Sequence, residues 1–281
     1  MPSFATPEPI TVTAHVDAGS IRFLAGDRQD TAVEVRPREA GRERDVRTAE
    51  QTEVGYAGGV LTVRTPKPRS LFGRTGTVDV TVELPAGSRV ELTGAWTQVL
   101  GEGRLGEVRV KTSSGDVRLD ETGPLRLTAA HGSVTVGRVE GAAEIGTSSG
   151  SLRVSTLDGP AVLKNAHGTT AVGTVTGELR VSGAHGDIDI ARAEDSVTAT
   201  TAHGALRLAD AVRGTVRLET SSGSIEIGIR NGTAAWIDAA SSSGQVRNAL
   251  TPSETPRKTE DTVEVHARTH HGNIDVLRAR S

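Results

Sequence analysis

The chain has 281 residues, no cysteine, a formal net charge of −3 and only 2% aromatic residues. The lack of cysteine excludes disulfides, thiolate zinc sites and cysteine nucleophiles, and the near-balanced charge offers no global attraction to nucleic acid or an anionic membrane. Thirty-three glycines set among Val, Thr and Ser favour turns and strands over helices, and the scarcity of large rings suits a thin core of Val, Leu, Ile and Ala.

The first residues, Met1 to Pro9, carry neither a basic nor an apolar stretch of the secretory kind, and no apolar run approaches a membrane span. The expectation is a soluble, cytoplasmic protein. Residues 10–35 alternate in strand fashion through Ile10, Val12 and Ala14, then Ile21 and Phe23, then Val33 and Val35. Residues 36–53 mix charges without apolar periodicity, which predicts an exposed loop or a short solvated helix off an edge strand, with a binding surface as the alternative. Val60–Val63 resumes the strand pattern after the turn Tyr56–Gly59. The segment 65–76 then holds Lys67, Arg69 and Arg74 without an acid, and reads as a solvated prolyl connection or a contact for phosphate or an acidic partner. Residues 78–92 predict a strand, a turn at Pro85–Ser88 and another strand.

From about residue 95 one phrase recurs. It is Ser-Ser-Gly or Ala-His-Gly, ending at Gly115, Gly132, Gly150, Gly168, Gly186, Gly204, Gly223 and Gly244, with His-His-Gly at Gly272 as the last copy. The spacings are 17, 18, 18, 18, 18, 19, 21 and 28 residues, and a fixed period of that length marks a solenoid. A second turn at Gly123, Gly141, Gly159, Gly177, Asp195 and Gly214 splits each unit into halves of about nine. Apolar residues stand two and four positions after the marker glycine (Val117/Leu119, Leu152/Val154, Ile188/Ile190). They also stand seven and five positions before it (Leu125/Leu127, Ala161/Leu163, Val197/Ala199, Ile237/Ala239). Both halves are strands with one face buried, so each unit makes one coil and successive coils stack by parallel hydrogen bonding. The expected organisation is a β-rich capping portion over 1–95, continuous with a regular solenoid over 96–281. A polar loop at 250–262 precedes the last coil.

The run Val78 to Ser88, with its Leu-Pro-Ala-Gly-Ser end, followed by serial phrases such as Ser113 to Leu119, resembles the bacterial "putative adhesin" domain family of unknown function. It is similar also to the related head-domain adhesin-like group. The resemblance spans about residues 10–280 and implies an all-β, right-handed parallel β-solenoid with about 18 residues per coil. It implies no established activity, cofactor or site.

The position before the marker glycine reads Ser114, His131, Ser149, His167, His185, His203, Ser222, Ser243 and His271. Stacking would bring His167, His185 and His203 together along one edge. Three neutral imidazoles are a candidate site for zinc, copper or nickel, but coil spacing exceeds the separation of ligands on one ion. The favoured reading is steric exchange at a turn, Ala making room for the ring, with a pH-responsive role as a further alternative. A desolvated, crowded column would keep its rings neutral. The turns lack the aspartate column of a calcium-binding β-roll. Of Asp116, Asp187 and Asp189 only the last two lie close together, too little for a sugar-cleaving β-helix, and no phosphate loop, nucleophile elbow or zincin motif occurs. The sequence therefore points to a non-enzymatic interaction or assembly scaffold without a cofactor, engaging an unidentified protein or a second copy. The alternatives are a carbohydrate-binding or carbohydrate-cleaving β-helix protein and a His-ladder metal-binding protein.

Overall fold

A computed structural model describes residues 2–66, 76–250 and 261–280. The chain divides into two compact units, residues 1–140 and 141–281, and in each the strands form the coils of a parallel β-solenoid.

In the first unit, β1 (Ser3–Ala5), β2 (Thr11–Gly26) and β3 (Asp30–Pro37) precede α1 (Glu43–Glu50). After the helix come β4 (Glu53–Ala57), β5 (Val60–Arg64), β6 (Val78–Pro85), β7 (Arg89–Leu105), β8 (Val108–Ser114), β9 (Val117–Thr122), β10 (Leu125–His131) and β11 (Val134–Glu140). β2 and β7 are whole coils that run through their corner. β2 pairs along its length with β7, and the two halves of β7 pair with β8 and β9, all parallel. On its other side β2 pairs in parallel with β5 and β6. The first coil in the sequence is thus second in the stack. The outer edge of β6 is covered by antiparallel β3, with β1 antiparallel to β3, and that of β5 by antiparallel β4.

Residues 36–53 include a helix, one of the two alternatives their charge pattern allowed. Glu43 and Asp45 stand in its first turn, where negative charge complements the helix dipole, and Glu43 pairs with Arg47 one turn on. The buried Asp45 anchors the helix by accepting the Thr77 backbone N–H at 3.0 Å. Most of the basic segment, residues 67–75, lies outside the described residues.

In the second unit, β12 (Ala143–Ser149), β13 (Leu152–Asp158), β14 (Ala161–His167), β15 (Thr170–Val175), β16 (Leu179–His185), β17 (Ile188–Ala193), β18 (Val197–His203), β19 (Leu206–Ala211), β20 (Gly214–Ser222) and β21 (Ile225–Ile229) form successive two-strand coils. β22 (Ala234–Ser243), β23 (Val246–Asn248), β24 (Thr262–His271) and β25 (Ile274–Arg278) complete the unit. Pairing is parallel and in register, with Leu163 on Val181 and Val181 on Ala199, except for a shift between Leu208 and Ala211 where β19 meets β21. The inward rows are fully buried, as at Leu163, Leu179, Val197 and Leu208, each at 0% exposure.

The structure corrects one expectation about coil order. The last copy of the repeat does not close the stack. β24 pairs with β20 on one side and β22 on the other, and β25 lies likewise between β21 and β23. The C-terminal coil is therefore inserted beneath the one that precedes it in sequence. Ile237 and Ala239, expected in the core, are only half-buried, and Val246 is 45% exposed. Their columns end here, with a coil beneath them and none above among the described residues.

Candidate functional site

The marker glycines lie at the corners where the first strand of a coil gives way to the second. Gly168 and Gly186 adopt φ of +136° and +135°, and the backbone N–H of Gly186 donates to the His203 carbonyl of the next coil at 2.8 Å. Gly244, in the outermost coil, is not among the glycines of positive φ. Because each corner repeats the last in register, the residue before the glycine falls into one column. In the second unit this column reads Ser149, His167, His185, His203, Ser222, His271, Ser243 from one coil to the next.

The structure brings His167, His185 and His203 together. Their rings stack face to face, with centroids 5.1 Å apart for the first pair and 5.0 Å for the second and interplanar angles of 6° and 26°. All three are exposed, so the desolvation that would have crowded a buried column is not present. The His167 Nδ1 lies 3.3 Å from the Ser148 carbonyl. In the Ser-Ser-Gly corners at Ser148 and Ser221 the first serine is exposed and the second half-buried. In the Ala-His-Gly corners the alanine is half-buried and the histidine projects outward. A small residue tucked at the corner is what lets the ring leave it.

Parallel rings 5 Å apart hold corresponding nitrogens about as far apart as the rings, whereas two ligands on one zinc span at most about 4.2 Å. The imidazoles stack and do not converge, and no group of three or more His, Asp or Glu side chains able to hold a metal ion forms among the described residues. Asp187, beside the ladder, accepts the Ala205 backbone N–H of the next coil at 2.8 Å, as Asp116 does for Ser133 in the first unit. Its carboxylate ties coil to coil. Asp189 faces elsewhere, onto a shallow groove of about 660 Å³ whose lining includes Ser155, Gly173, Ala191, Arg153 and Arg207.

Replacing His167, His185 and His203 together by serine is expected to leave stability within about 0.5 kcal/mol of the parent, because exposed side chains away from special backbone contribute little. Serine already occupies this column in three coils of the unit. Urea unfolding of parent and variant would check it.

The sequence did not reveal two exposed indoles. Trp96, 69% exposed, occupies the ladder column in the first unit, paired with Ser114, which pairs in turn with His131. Trp236, 57% exposed, packs against His266 in a T-shaped arrangement with ring centroids 5.5 Å apart. Around it Asp238 is held by Arg268, and His266 lies 3.1 Å from Glu264. The only available signal was rarity: two of the six aromatic residues are tryptophans. The Arg268 hydrogen bond holds the Asp238 carboxyl below its usual range, against the opposing effect of desolvation and with lesser help from the charges of Arg268 and His266. A depressed folded value means that the contribution of Asp238 is complete above the ordinary Asp range. It is lost as pH falls through the depressed value. Asp238→Asn should therefore remove part of the acid-side rise in hydrogen exchange of the β22 amides.

A stack of coils with glycine corners, entered through Val78–Ser88, is matched by the family model described as Toastrack DUF4097 over residues 10–277. The chain belongs to that family. No curated protein matches the sequence. Among solved structures, a "putative adhesin" from Parabacteroides merdae is 13% identical and has a TM-score of 0.48, with 80% of this chain and 93% of that chain covered. A "putative adhesin" from Bacteroides fragilis is 13% identical with a TM-score of 0.36, covering 98% of this chain and 95% of the other. A "putative cell adhesion protein" from Clostridium sporogenes is 11% identical with a TM-score of 0.21, covering 99% and 98%. Membership of the Toastrack family rests on the sequence match and not on these likenesses. No helix among the described residues is long and apolar enough to cross a membrane.

Proposed function

We propose that this Toastrack chain is a non-enzymatic interaction module that engages a protein partner through the edge carrying His167, His185 and His203. The observation that supports it most directly is the ladder itself. Three exposed rings are held in register at coil spacing by corners that other coils build with serine. Stacked imidazoles cover one another's faces and present a row of ring edges bearing nitrogens, suited to hydrogen-bonded protein contacts. Strand backbones hold the array, so little ordering entropy is lost on binding. On this reading residues 1–95 serve as a cap, and the cysteine-free chain needs no oxidising compartment, in keeping with a cytoplasmic setting.

The test is affinity capture from the native host with the immobilised parent chain and the triple serine variant side by side. A partner retained by the parent and lost from the variant is the expected result. Equal retention by both would move the contact away from the ladder, and cleavage or binding in a broad glycan screen would replace this reading with a carbohydrate-directed one. Cell fractionation would check the compartment.

A further inference from the structure

Among the described residues, the second unit ends in a coil that lacks the usual protection of a sheet edge. β22 pairs only with β24, and β23 only with β25, among the described residues. The Ala234 N–H donates to Asp261 on the inner side. Strand alternation then turns the N–H and C=O groups of Ala235, Ile237, Ala239 and Ser241 toward the open side, where ten residues of strand present a pairing template. The core ends at the same place. Val265, Ala267 and Ile274 are at most 0% exposed one coil inward, while Ile237, Ala239 and Val246 above them are half-buried or exposed.

Sheet edges are ordinarily blunted by Lys, Pro, uncompensated charge or shortness. The outer strands of the first unit show this: β4 has only five residues, with Glu53 at its start, and β3 ends in Pro37. β22 has no Lys or Pro, and its single charged residue, Asp238, is already neutralised by Arg268 on β24. Fraying does not explain such an edge either. Because the chain passes on from β23 into the buried β24, the outermost coil is an internal segment tethered at both ends.

We propose that this coil is a homotypic docking surface: two copies of the chain join end to end about a two-fold axis, β22 running antiparallel to β22 of the second copy. A second copy fits better than an extended peptide. The exposed end has two strands that meet at a corner at Gly244, and a two-fold through both sheets pairs β22 with β22 and β23 with β23 at once. The joint continues the coil-on-coil stacking that already holds the unit together. Charge selects the register. Centring the axis on Asp238 would oppose two carboxylates, whereas centring it on Ala239 sets Asp238 against Ala240 and Trp236 against Ser242. It also aligns the free backbone groups of Ile237 and Ser241. The contact is isologous and self-limiting, because using it leaves no second copy of the same surface free.

The full-length chain is tested by multi-angle light scattering and sedimentation across a concentration series. A species of twice the 29.2 kDa chain mass is expected, with no larger assembly. Ala239→Pro removes an open-side donor without touching the pairing to β24, and should weaken dimerisation at least about tenfold with an unchanged circular dichroism spectrum. Trp236→Lys provides a second variant that does not alter the backbone. In this cysteine-free chain, Ala239→Cys should form an intermolecular disulfide on mild oxidation, the opposed Cα atoms lying about 5.5 Å apart in such a pair, while Ser155→Cys should not. A monomer at high concentration, a dimer indifferent to both edge variants, or an open polymer would overturn the proposal. The triple histidine variant separates the two readings, since it should lose the heterologous partner and keep the dimer.

Discussion

Gly186→Ala is expected to destabilise the second unit by about 2–6 kcal/mol, a large part of the stability of many domains. Two costs combine. The backbone at Gly186 has φ of +135°, a region nearly restricted to glycine, in which another residue costs about 1–3 kcal/mol. A Cβ there would lie 2.1 Å from the Gly168 carbonyl oxygen, and that oxygen is backbone held by the coil stack, so relief requires separating coils at a further cost of about 1–3 kcal/mol. The Cβ positions at Gly204 and Gly168 meet the oxygens of Gly186 and Gly150 at the same 2.1 Å, so the corner column transmits the lesion in both directions. Denaturant unfolding followed by circular dichroism would show an early transition or a lowered midpoint. Gly146→Ala supplies the contrast. Nothing lies within 4 Å of its Cβ position and its φ is not positive, so the same chemical change should stabilise by about 0.4–1 kcal/mol through the unfolded chain. Equal effects at the two sites would refute the account of the corner.

Leu163→Ala should cost about 2–5 kcal/mol. Leu163 is fully buried between Ile145 and Val181 in adjoining coils, and these neighbours are fixed by backbone pairing, so the space left by the side chain cannot close easily. In a stacked array the loss weakens two coil interfaces at once. Leu163→Met keeps most of the volume and should cost less than about 1.5 kcal/mol. Thermal melts of the two variants would rank them, and an inverted order would count against a rigid, thin core.

Much of the fold could be read from local pattern. The alternation at Leu152/Val154 and Ile188/Ile190 identifies inward faces because strand side chains point to opposite sides in turn, and the glycine period identifies corners because few other residues tolerate them. The ladder was legible for the same reason: His167, His185 and His203 stand at one position of the repeat, so parallel register stacks them. The disposition of the rings was not legible. Whether three imidazoles converge on an ion or stack face to face depends on rotamers and on the depth of the preceding alanine, which spacing does not report. Trp96 and Trp236 were missed because no repeat frames them. Trp96 lies between Ala18 and Ser114 in a first-unit coil whose corner carries no marker phrase, and Trp236 gains its neighbours Glu264, His266 and Arg268 only after a coil insertion.

By itself the sequence determined the coil: its length, its two strands, its corners and the side each residue faces. These follow from the period of two in an extended chain and from the steric privilege of glycine, both local properties. Only the tertiary structure decided the order of the coils. β2 lies inside β5 and β6, and β24 and β25 lie inside β22 and β23, although sequence order would place each the other way. Every coil presents the same inward rows and the same unpaired edges, so one coil stacks on another almost as well as on its neighbour in sequence. The choice therefore falls to the connections and to which coil tolerates exposure, and those are properties of the assembled stack.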